Sequence, residues 1–390
     1  MTIAIFIFWV IIIIVFYAYF GYALLLRILL LFKNKSVKEE VHNFFPEITF
    51  LVPAFNELDF VDKKVKNGFE LDYPKDKVHF VWVTDGSDDG TPEKLRTYPN
   101  IQVFHAPERR GKTAALNRAI ALIDSDIIVC SDANTLLNKE ALKEITKPFA
   151  NPEIGAVAGE KKVLKEENDD ASSSGENFYW KYESWLKQLE VTFYSSIAVV
   201  GELFAFRKTI FSPMPEDTLL DDFVLSLKTI EKGYKIGYSK NAYAMEKASA
   251  SITEEMKRKV RIAAGGFQTV FRYPQFLNPF HYTIYAFQYI SHKILRWFFV
   301  PSAFPVVLLL NIWLVWLKKD LDIYGIILIL QTIFYGFVLL GGLLQNKKTK
   351  VKMLFVPFYI FMMNWSTFLG MIRYFNGSQS ARWEKATRKK

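Results

Sequence analysis

The chain has 390 residues, a formal net charge of +9 and a single cysteine. This length accommodates one full-size domain with a membrane region, or two modest soluble domains. The lone Cys130 excludes an intramolecular disulfide framework, and its apolar neighbours indicate a buried strand position. The basic residues lie largely beside apolar runs and form no single stripe with interleaved aromatic residues, so we expect no nucleic-acid partner.

Four apolar runs are long enough to cross a bilayer. The first, residues 3–32, has Arg27 as its only charge, and about 20 apolar residues already span the hydrocarbon core. This run starts uncharged and is too long for a secretory signal peptide, so we interpret it as a retained anchor. The other three runs carry no charge and occupy residues 298–317, 323–344 and 353–372.

These runs predict five parts of the chain. They are an N-terminal transmembrane anchor (1–35), a cytosolic globular domain (36–255), interfacial amphipathic helices (256–297), C-terminal transmembrane segments (298–375) and a basic tail (376–390). The globular part differs from the rest because its apolar residues come in short runs mixed with charge, as in a soluble α/β domain.

Basic residues at the membrane edges predict that the globular domain faces the cytoplasm, at the cell inner membrane. In that orientation the lysines after the first run and the four lysines of residues 345–352 lie on the positive-inside face. Four full crossings would export the basic residues 382–390, which the same rule disfavours. Residues 353–372, interrupted by Pro357, are therefore our candidate for a re-entrant or interfacial segment, and the number of crossings stays open.

Short apolar runs alternate with helical patterns in the globular part. The predicted strands are residues 48–52, 78–84, 101–105 and 127–131, with a helix at 114–123. This alternation predicts an α/β fold with a mixed, largely parallel sheet and flanking helices, in which ligands bind at the carboxyl ends of strands. The polar residues 165–176 lack the apolar content to build a core and predict a mobile loop.

Carboxylates and glycines directly follow the second predicted strand, as Asp-Gly-Ser-Asp-Asp-Gly-Thr at 85–91. The start of this segment is similar to a calcium-binding EF-hand loop, but its twelfth position is Arg96 where a bidentate glutamate is required. That interpretation fails. An Asp/Gly turn with Thr91 capping the next helix remains the simple alternative.

Polar residues that include an acid also follow the fourth predicted strand. This strand is followed by Asp132 and, two residues later, by Asn134, a sparse set of oxygen ligands that suits a hard divalent cation bound together with substrate phosphates. Between the two acidic segments lies the basic turn Arg-Arg-Gly-Lys at 109–112, which opens a helix and could meet a diphosphate. Taken separately, this turn is also explained as a solvated surface turn.

Four motifs in this order resemble those of membrane-bound family-2 glycosyltransferases, a group that includes hyaluronan, chitin, cellulose and poly-N-acetylglucosamine synthases. They are Pro-Ala-Phe-Asn-Glu at 53–57, the acidic segment 85–91, Gly-Lys-Thr-Ala-Ala-Leu-Asn at 111–117 and Asp-Ala-Asn at 132–134. The resemblance runs from about residue 46 to residue 266. It implies a glycosyltransferase-A fold, inversion at the anomeric carbon and an Mg²⁺ or Mn²⁺ ion.

The resemblance also implies roles for single residues. Those implied to bind the nucleotide are Ala54, Glu57, Asp85, Lys112, Asp132 and Arg258. Asp132 is implied to hold the metal as well, and Asn134 is a weaker metal ligand because the family has a second aspartate there. Gly201 and Arg207 stand where the family has its acceptor-side segment, and Asp221 is implied to bind the acceptor.

Asp221 and Asp222 resemble the family's acidic pair, whose second member is the expected catalytic base. An attacking hydroxyl must lose its proton, and general-base help contributes roughly 10²–10⁴-fold. Capping and the helix dipole alone would also favour two acids at a helix start.

A second basic pair follows on the next helical pattern. Arg258 and Arg261 stand in place of the Gln-x-x-Arg-Trp motif of processive synthases, with Arg261 implied to be a catalytic residue that binds the leaving diphosphate. Ile262 replaces the tryptophan, which argues against processive elongation more than against transfer itself. The residues alone are also compatible with a basic interfacial helix along the membrane.

We therefore expect an inverting, metal-dependent transfer of sugar from a nucleotide-sugar, UDP-linked on the resemblance alone, to a polysaccharide or lipid-linked acceptor at the membrane. A non-processive transferase acting on polyprenyl-phosphate or lipid-linked oligosaccharide is the first alternative. A non-catalytic membrane protein that binds a nucleotide-sugar is the second. The expected partners are the donor, the acceptor and membrane lipid, and a homo-oligomer stays open.

Overall fold

Eight strands of the computed structural model form one sheet in the order β3-β2-β1-β4-β7-β6-β8-β5. The structure describes residues 1–33, 44–164, 171–247, 249, 251–318, 322–344 and 352–380, with only the backbone described for 171–178 and 352–354. The strands are β1 (Ile48–Ala54), β2 (Val78–Asp85), β3 (Ile101–Ala106), β4 (Ile127–Ser131), β5 (Leu136–Leu137), β6 (Ile154–Leu164), β7 (Leu203–Arg207) and β8 (Lys235–Lys247).

The first four strands confirm the predicted parallel arrangement. β1 pairs in parallel with β2 on one side and β4 on the other, and β2 pairs in parallel with β3. β7 then pairs antiparallel with β4 and with β6, which makes the whole sheet mixed. Every residue of β1 and β4 is buried, because helices cover both faces of a parallel sheet and its central strands are apolar throughout.

Thirteen helices are described. The helices of the globular part are α3 (Leu58–Phe69), α4 (Thr91–Arg96), α5 (Lys112–Ala121), α6 (Ala141–Thr146), α7 (Ala171–Phe193), α8 (Asp221–Glu231) and α9 (Ile252–Arg272). The apolar helices are α1 (Thr2–Phe16), α2 (Tyr22–Leu31), α10 (Pro279–Tyr289), α11 (Val300–Lys318), α12 (Ile323–Leu344) and α13 (Lys352–Phe375). Single π-helical stretches join α1 to α2 and α10 to α11.

The polar segment 165–176 differs from the prediction. Residues 165–170 lie outside the described residues, but 171–176 form the start of α7 and are not a loop. The prediction rested on low hydrophobicity, which does not oppose a helix once the rest of the helix is packed. The later part of α7 is packed, since Leu186 is fully buried against Tyr22 and Leu26 of α2, and extending an existing helix costs little.

Four helical segments in the described part of the chain are long and apolar enough to cross a membrane. They are Thr2–Leu31, Pro279–Lys318, Ile323–Leu344 and Phe355–Phe375. The second begins earlier than predicted, so part of the expected interfacial region belongs to a 40-residue helical segment with a backbone kink at Thr283. Pro357 lies inside α13 without interrupting it, so the expected break in residues 353–372 is absent.

Helix α13 packs along α9 at the edge of the globular part. A Cβ on Gly370 would lie 2.5 Å from Cβ of Ala263, so only a glycine permits this close approach. Further along, the rings of Phe271 and Tyr374 are stacked with centroids 5.5 Å apart. The last apolar helix is therefore held against a helix of the globular part over its carboxyl-terminal half.

Candidate active site

The carboxyl ends of β2, β1 and β4 meet at one edge of the sheet. Ala54 at the end of β1 pairs with Thr84, so Asp85 lies just beyond it on one side. Leu51 pairs with Cys130 on the other side, so Asp132 lies just beyond β4 at the same level. We call this edge, with residues 109–112 that cover it, the strand edge. Asp85 and Asp132 therefore lie at one edge, as the sequence predicts.

Asp85 holds the basic turn in place. Its buried Oδ2 accepts hydrogen bonds from the backbone N–H of Arg110 at 2.9 Å and of Gly111 at 2.6 Å. The guanidinium of Arg118 lies 3.6 Å from Oδ1. A carboxylate that accepts backbone N–H groups and faces a cation is a strong anchor, so the turn that starts α5 is fixed relative to β2.

Lys112 lies between the acid that follows β4 and the acid that starts α8. Its Nζ donates to Oδ1 of Asp132 at 2.8 Å and lies 3.8 Å from Oδ2 of Asp221 at the start of α8. Burial alone would lower the pKa of Lys112, but the charges of Asp132 and Asp221 raise it above its ordinary value. The ammonium is therefore charged and sits between acids contributed by β4 and α8.

The loops that follow β1 and β2 are fastened to each other. Asn56, at φ 53°, exchanges hydrogen bonds with Asp88, and the N–H of Leu58 donates to Asp89 at 3.1 Å. Asp88 and Asp89 thus order a turn, which agrees with the simple alternative for these two residues. Ala54 ends β1 next to these loops, and the N–H of Glu57 donates to Oγ1 of Thr91 at 3.0 Å.

A glycine is required where these loops meet the basic turn. Gly86 has φ +66°, and a Cβ there would lie 2.7 Å from Cβ of Arg109. The guanidinium of Arg109 in turn lies 3.9 Å from the ring centroid of Phe55. This cation–π pair forms an aromatic and cationic wall beside Asp85, suited to a flat nucleobase and its phosphates.

The donor set at the strand edge fits a divalent cation only together with a substrate. The described residues contain no cluster of three His, Cys, Asp or Glu side chains that could hold a metal. They do leave Oδ1 of Asp85 and Oδ2 of Asp221 buried without a hydrogen-bond partner. Asp132 with the half-buried Asn134 would supply two oxygen ligands, and phosphates and water would complete the shell of an Mg²⁺ or Mn²⁺ ion.

Asp132 is supported from below by a buried lysine. Lys64 of α3 donates to Oγ of Ser131 at 2.7 Å and to the carbonyl of Thr135 at 2.8 Å. Burial lowers the pKa of Lys64 to about 7, and the charge of Asp132 opposes this shift. Lys64 therefore fixes the turn on which Asp132 and Asn134 stand.

Asp222, the second residue of α8, lines a cavity of about 210 Å³. Burial, followed by the charge of Asp221, raises the pKa of Asp222 to about 7. A Cβ on Gly201 would lie 3.3 Å from its Oδ2, so Gly201 leaves room next to this carboxylate. An acid with this pKa is suited to take up a proton near neutral pH.

Arg258 and Ile262 of α9 line the same cavity, together with Glu202. Arg258 is held by Glu255, with Nε 3.0 Å from Oε2, and lies 3.9 Å from Glu202. Arg261 stands one turn before Gly265, whose Cβ position would be 2.6 Å from Leu220. This spacing puts Arg261 on the face of α9 that packs against the segment leading into Asp221.

Arg207 is not brought together with the other candidate residues. It ends β7, which runs antiparallel to β4, and pairs with Ile127 at the start of that strand. Its guanidinium donates to the carbonyls of Ile154 at 2.9 Å and Phe149 at 2.8 Å. Arg207 therefore lies at the opposite edge of the sheet from Asp132, where it orders backbone.

Comparison with known proteins identifies the family of the globular part. Residues 49–213 match the sequence model of glycosyl transferase family 2. These residues form a family 2 domain. The resemblance stated from the motifs is thereby confirmed, and the glycosyltransferase-A type of fold with additional apolar helices is confirmed with it.

Two curated relatives match the family 2 domain and its surroundings. The poly-β-1,6-N-acetyl-D-glucosamine synthase of Staphylococcus aureus is 26% identical over 235 residues, which are 58% of this chain and 56% of that protein. The β-monoglucosyldiacylglycerol synthase of a Synechocystis species is 28% identical over 246 residues, which are 59% of this chain and 50% of that protein. The matches thus span about half the length of these relatives.

A solved structure is similar over nearly the whole chain. It is a mannosyltransferase from Pyrobaculum calidifontis in complex with GDP-mannose and Mn²⁺. It aligns with a TM-score of 0.67, covers 95% of this chain and 99% of its own, and is 21% identical in sequence. This likeness shows that the family 2 domain and the apolar helices share one overall architecture with that protein.

Several residues of the family 2 domain and its adjoining helices were missed by sequence reasoning. Lys161 is fully buried and pairs with Glu202 and Glu246, each at 2.6 Å. Trp297 lines the cavity and packs over Gly266, whose Cβ would lie 2.7 Å from the indole ring. Lys161 stands between Glu160 and Lys162 in β6, so no local pattern separates it from its exposed neighbour, and no local pattern marks Trp297.

Proposed function

We propose that this protein is a glycosyltransferase that moves a sugar from a nucleotide-sugar to an acceptor at the membrane, with inversion at the anomeric carbon. The observation that carries this proposal is the position of Lys112, 2.8 Å from Asp132 and 3.8 Å from Asp221. A diphosphate at the strand edge would therefore lie next to Asp221 and Asp222, and Asp222 is the proposed base. Donor and acceptor chemistry become adjacent without any rearrangement of the fold.

The chain's own residues account for the movement of the proton and the leaving group. Asp222 accepts the proton of the acceptor hydroxyl as that oxygen bonds to the anomeric carbon and the bond to the diphosphate breaks. The departing electron pair stays on the diphosphate, where Lys112, Arg258 and Arg261 stabilise it electrostatically. A divalent cation held by Asp132 and Asn134 supplies further neutralisation of the phosphate charge when bound.

The relatives support a sugar nucleotide as donor without fixing its identity. The Pyrobaculum mannosyltransferase was solved with GDP-mannose and Mn²⁺, and the Staphylococcus protein is named for an N-acetylglucosamine polymer. We keep UDP as the expected nucleotide on the motif resemblance. The acceptor is a polysaccharide or a lipid-linked saccharide, and Ile262 in place of a stacking aromatic favours a short product.

The test is nucleotide release by the purified full chain in lipid nanodiscs. A panel of UDP- and GDP-sugars is supplied with Mg²⁺ or Mn²⁺ in the presence of membrane-extracted acceptors, and product mass is measured. We expect metal-dependent release from one donor, reduced roughly 10²–10⁴-fold in Asp222→Asn with donor KM little changed. The matched control is Asp217→Asn, a nearby acid whose side chain is 64% exposed.

A protein that binds a nucleotide-sugar without turnover is the competing candidate. It would show saturable donor binding but no release with any acceptor, and Asp222→Asn would leave the binding unchanged. Full activity in Asp222→Asn would contradict the assigned base.

We further propose that the family 2 domain faces the cytoplasm and that α13 lies at the membrane interface. The packing of α13 along α9 supports this, since Gly370 meets Ala263 and Tyr374 stacks on Phe271. Three crossings would then keep the basic residues 382–390 with the domain, as positive-inside bias requires. Asn364 also accepts a hydrogen bond from Tyr19, in the middle of the anchor segment, at 3.2 Å.

This arrangement is tested with single cysteines in a Cys130→Ala background. Ser378→Cys, after α13, is compared with Lys181→Cys on the exposed side of α7. We expect both to resist a membrane-impermeant maleimide in intact cells and both to react in inverted vesicles. Labelling of Ser378→Cys alone in intact cells would contradict the interfacial position of α13.

A further inference from the structure

The cavity beside Asp222 reaches from the family 2 domain to the apolar helices. Its walls include Asp222 and Arg258 on the domain side, and Trp297, Met363 and Thr367 on helices that are long and apolar enough to enter a membrane. Its volume of about 210 Å³ corresponds to about seven waters at ~30 Å³ each. This is space for one sugar-sized group, in contact with Asp222 and with the apolar helices at once.

One face of α7 forms a wall of this cavity. Trp180, Glu183, Lys187 and Glu190 recur at intervals of three or four residues and all line it. This spacing is that of a single helix face. Trp180 therefore faces the cavity, whereas Trp185 of the same helix packs with Tyr22 and Leu26 of the anchor.

Lys187 of α7 is a buried lysine on this wall. Its side chain is 8% exposed, and it makes no ion pair and no hydrogen bond among the residues that the structure describes. Its Nζ lies 5.8 Å from the ring centroids of both Trp180 and Tyr238. Burial lowers the pKa of Lys187, and the negative charges of Glu160 and Glu183 oppose this shift. Natural proteins seldom leave a lysine buried unless it is paired.

The acids around Lys187 are committed to other partners. Glu183 binds Arg296 at 2.7 Å, and Glu190 binds His292 at 2.6 Å. Glu160 accepts hydrogen bonds from Ser184 and Tyr238, and Glu202 binds Lys161. Glu160 and Glu183 therefore act on Lys187 only through their charge, and no described acid forms a close ion pair with its ammonium.

A second donor beside the cavity lacks a partner. Nε1 of Trp180 is buried and makes no hydrogen bond within the described part of the chain. The ammonium groups of Lys161 and Lys259 lie 5.1 Å and 5.7 Å from the same indole ring, so with Lys187 three cations surround it. Among the described residues, an indole N–H without a hydrogen-bond partner and an ammonium without a close ion pair stand on one wall, and together they are complementary to an oxyanion.

We propose that the cavity binds a lipid-linked acceptor through an anionic phosphate group, with Lys187 as the residue that recognises the phosphate. The inference rests on the proposed glycosyl transfer, because the acceptor's sugar hydroxyl must reach Asp222 in the same cavity. The lipid chain leaves along Met363 and Thr367 toward the apolar helices. Lys187 thereby distinguishes a phosphate-bearing acceptor from a neutral glycan or a neutral glycolipid.

Binding without donor separates this inference from the proposed function. Two probes share one chain and one sugar: farnesyl diphosphate-linked N-acetylglucosamine and neutral farnesyl N-acetylglucosaminide. Each is titrated against the full chain in nanodiscs of a zwitterionic lipid. We expect the wild type to bind the diphosphate probe at least about tenfold more tightly, as one charge-assisted hydrogen bond allows.

Three variants refine the measurement. Lys187→Met removes the charge at similar length and should abolish most of the preference, while Lys187→Arg should keep it. Lys181→Met changes an exposed lysine on the same helix and should bind as the wild type does. Equal wild-type affinity for the two probes, or an unchanged preference in Lys187→Met, would overturn the inference. Absence of nucleotide release with a retained preference would instead sink only the proposed transfer.

Discussion

The strand edge and the cavity are built in different ways, although they lie close together. Lys112 at the strand edge lies 3.8 Å from Asp221, and the next residue, Asp222, lines the cavity. The strand edge takes Asp85 and Asp132 from two strands that flank β1, and parallel pairing brings their carboxyl ends together. The cavity takes its walls from α7, α8, α9, α13 and the segment before α11. A strand edge is fixed by the sheet itself, whereas the cavity depends on how separate helices pack.

This difference predicts that substitutions at the strand edge alter the donor and that those in the cavity alter the acceptor. Lys112 is the strongest test of this division, because its ammonium contacts an acid of the strand edge and an acid of α8. Gly86 tests the donor side of this division, and Asp222 and Trp297 test the acceptor side.

Lys112→Met should give the largest loss. Without the ammonium, Asp132 and Asp221 face each other uncompensated, and removing one partner of a buried ion pair costs about 3–5 kcal/mol. We expect donor affinity to fall at least about a hundredfold and the midpoint of thermal unfolding to drop. Titration calorimetry with the nucleotide-sugar measures the first, and differential scanning fluorimetry the second.

The control for Lys112→Met is Lys66→Met, which removes a lysine that is 78% exposed. It should change neither quantity. A Lys112→Met protein that binds donor normally would show that the cation is not at the diphosphate position.

The pH dependence of transfer should report on Asp222. As the proposed base, Asp222 would work only when it is deprotonated, and its pKa is raised to about 7 by burial and Asp221. We therefore expect kcat to fall about tenfold for each pH unit below 7, so that activity at pH 5 is about one hundredth of the maximum. A carboxylate with an ordinary pKa would place this limb near 4, and such a profile would contradict the assignment.

The same shift carries a stability consequence with a defined sign. A raised folded-state pKa means that the ionised form is disfavoured on folding, so the stability contribution is present at low pH and lost as pH rises through about 7. Asp222→Asn removes this penalty. Its unfolding midpoint should exceed that of the wild type at pH 8, and the gap should narrow as pH falls.

Gly86→Ala should weaken the donor loop by a smaller amount. Its φ of +66° is strained for alanine, and the new Cβ would meet Arg109 at 2.7 Å. Strain in this region costs about 1–3 kcal/mol, and the displaced Arg109 should raise donor KM about tenfold. Gly233→Ala separates the two causes, because Gly233 has φ +81° and nothing within 4 Å of the position that a Cβ would take.

Kinetics and unfolding of the two glycine variants are measured side by side. Gly233→Ala should lose some stability but keep the donor KM of the wild type. Equal donor KM in both variants would mean that the contact between Gly86 and Arg109 does not shape the donor site.

The sequence predicts the strand edge well because its information is local. Each buried strand is followed at once by its acid, and parallel pairing then determines that Asp85 and Asp132 share an edge. Arg207 shows the limit of this reasoning. It also ends a strand, but β7 runs antiparallel to β4, and nothing in the short segment around Arg207 reveals the direction in which it pairs.

The cavity could not be predicted in the same way. Lys187 and Trp297 stand 110 positions apart in the chain, and neither belongs to a motif that points to the other. The helical spacing of α7 is visible in the sequence, but the face that turns toward Asp222 depends on α9 and α13. Long-range packing of helices, rather than local pattern, determines which aromatic and basic residues become functional.

Trp297→Ala should have the smallest effect and should touch only the acceptor. Its ring meets Phe223, the neighbour of Asp222, edge to face at 5.7 Å, and it stands over Gly266 one turn beyond Ile262. It thus offers an aromatic surface in a cavity where Ile262 offers none. An aromatic contact of this kind is worth about 0.5–1.5 kcal/mol, so acceptor KM should rise about two- to tenfold with donor KM unchanged.

Initial rates with each substrate varied in turn measure both constants for Trp297→Ala. Trp316→Ala, at a position that is 70% exposed on α11, serves as the matched control and should leave both unchanged. A rise in donor KM with constant acceptor KM would place Trp297 functionally at the strand edge. The donor and acceptor would then share the cavity, and packing of the apolar helices would control donor binding as well.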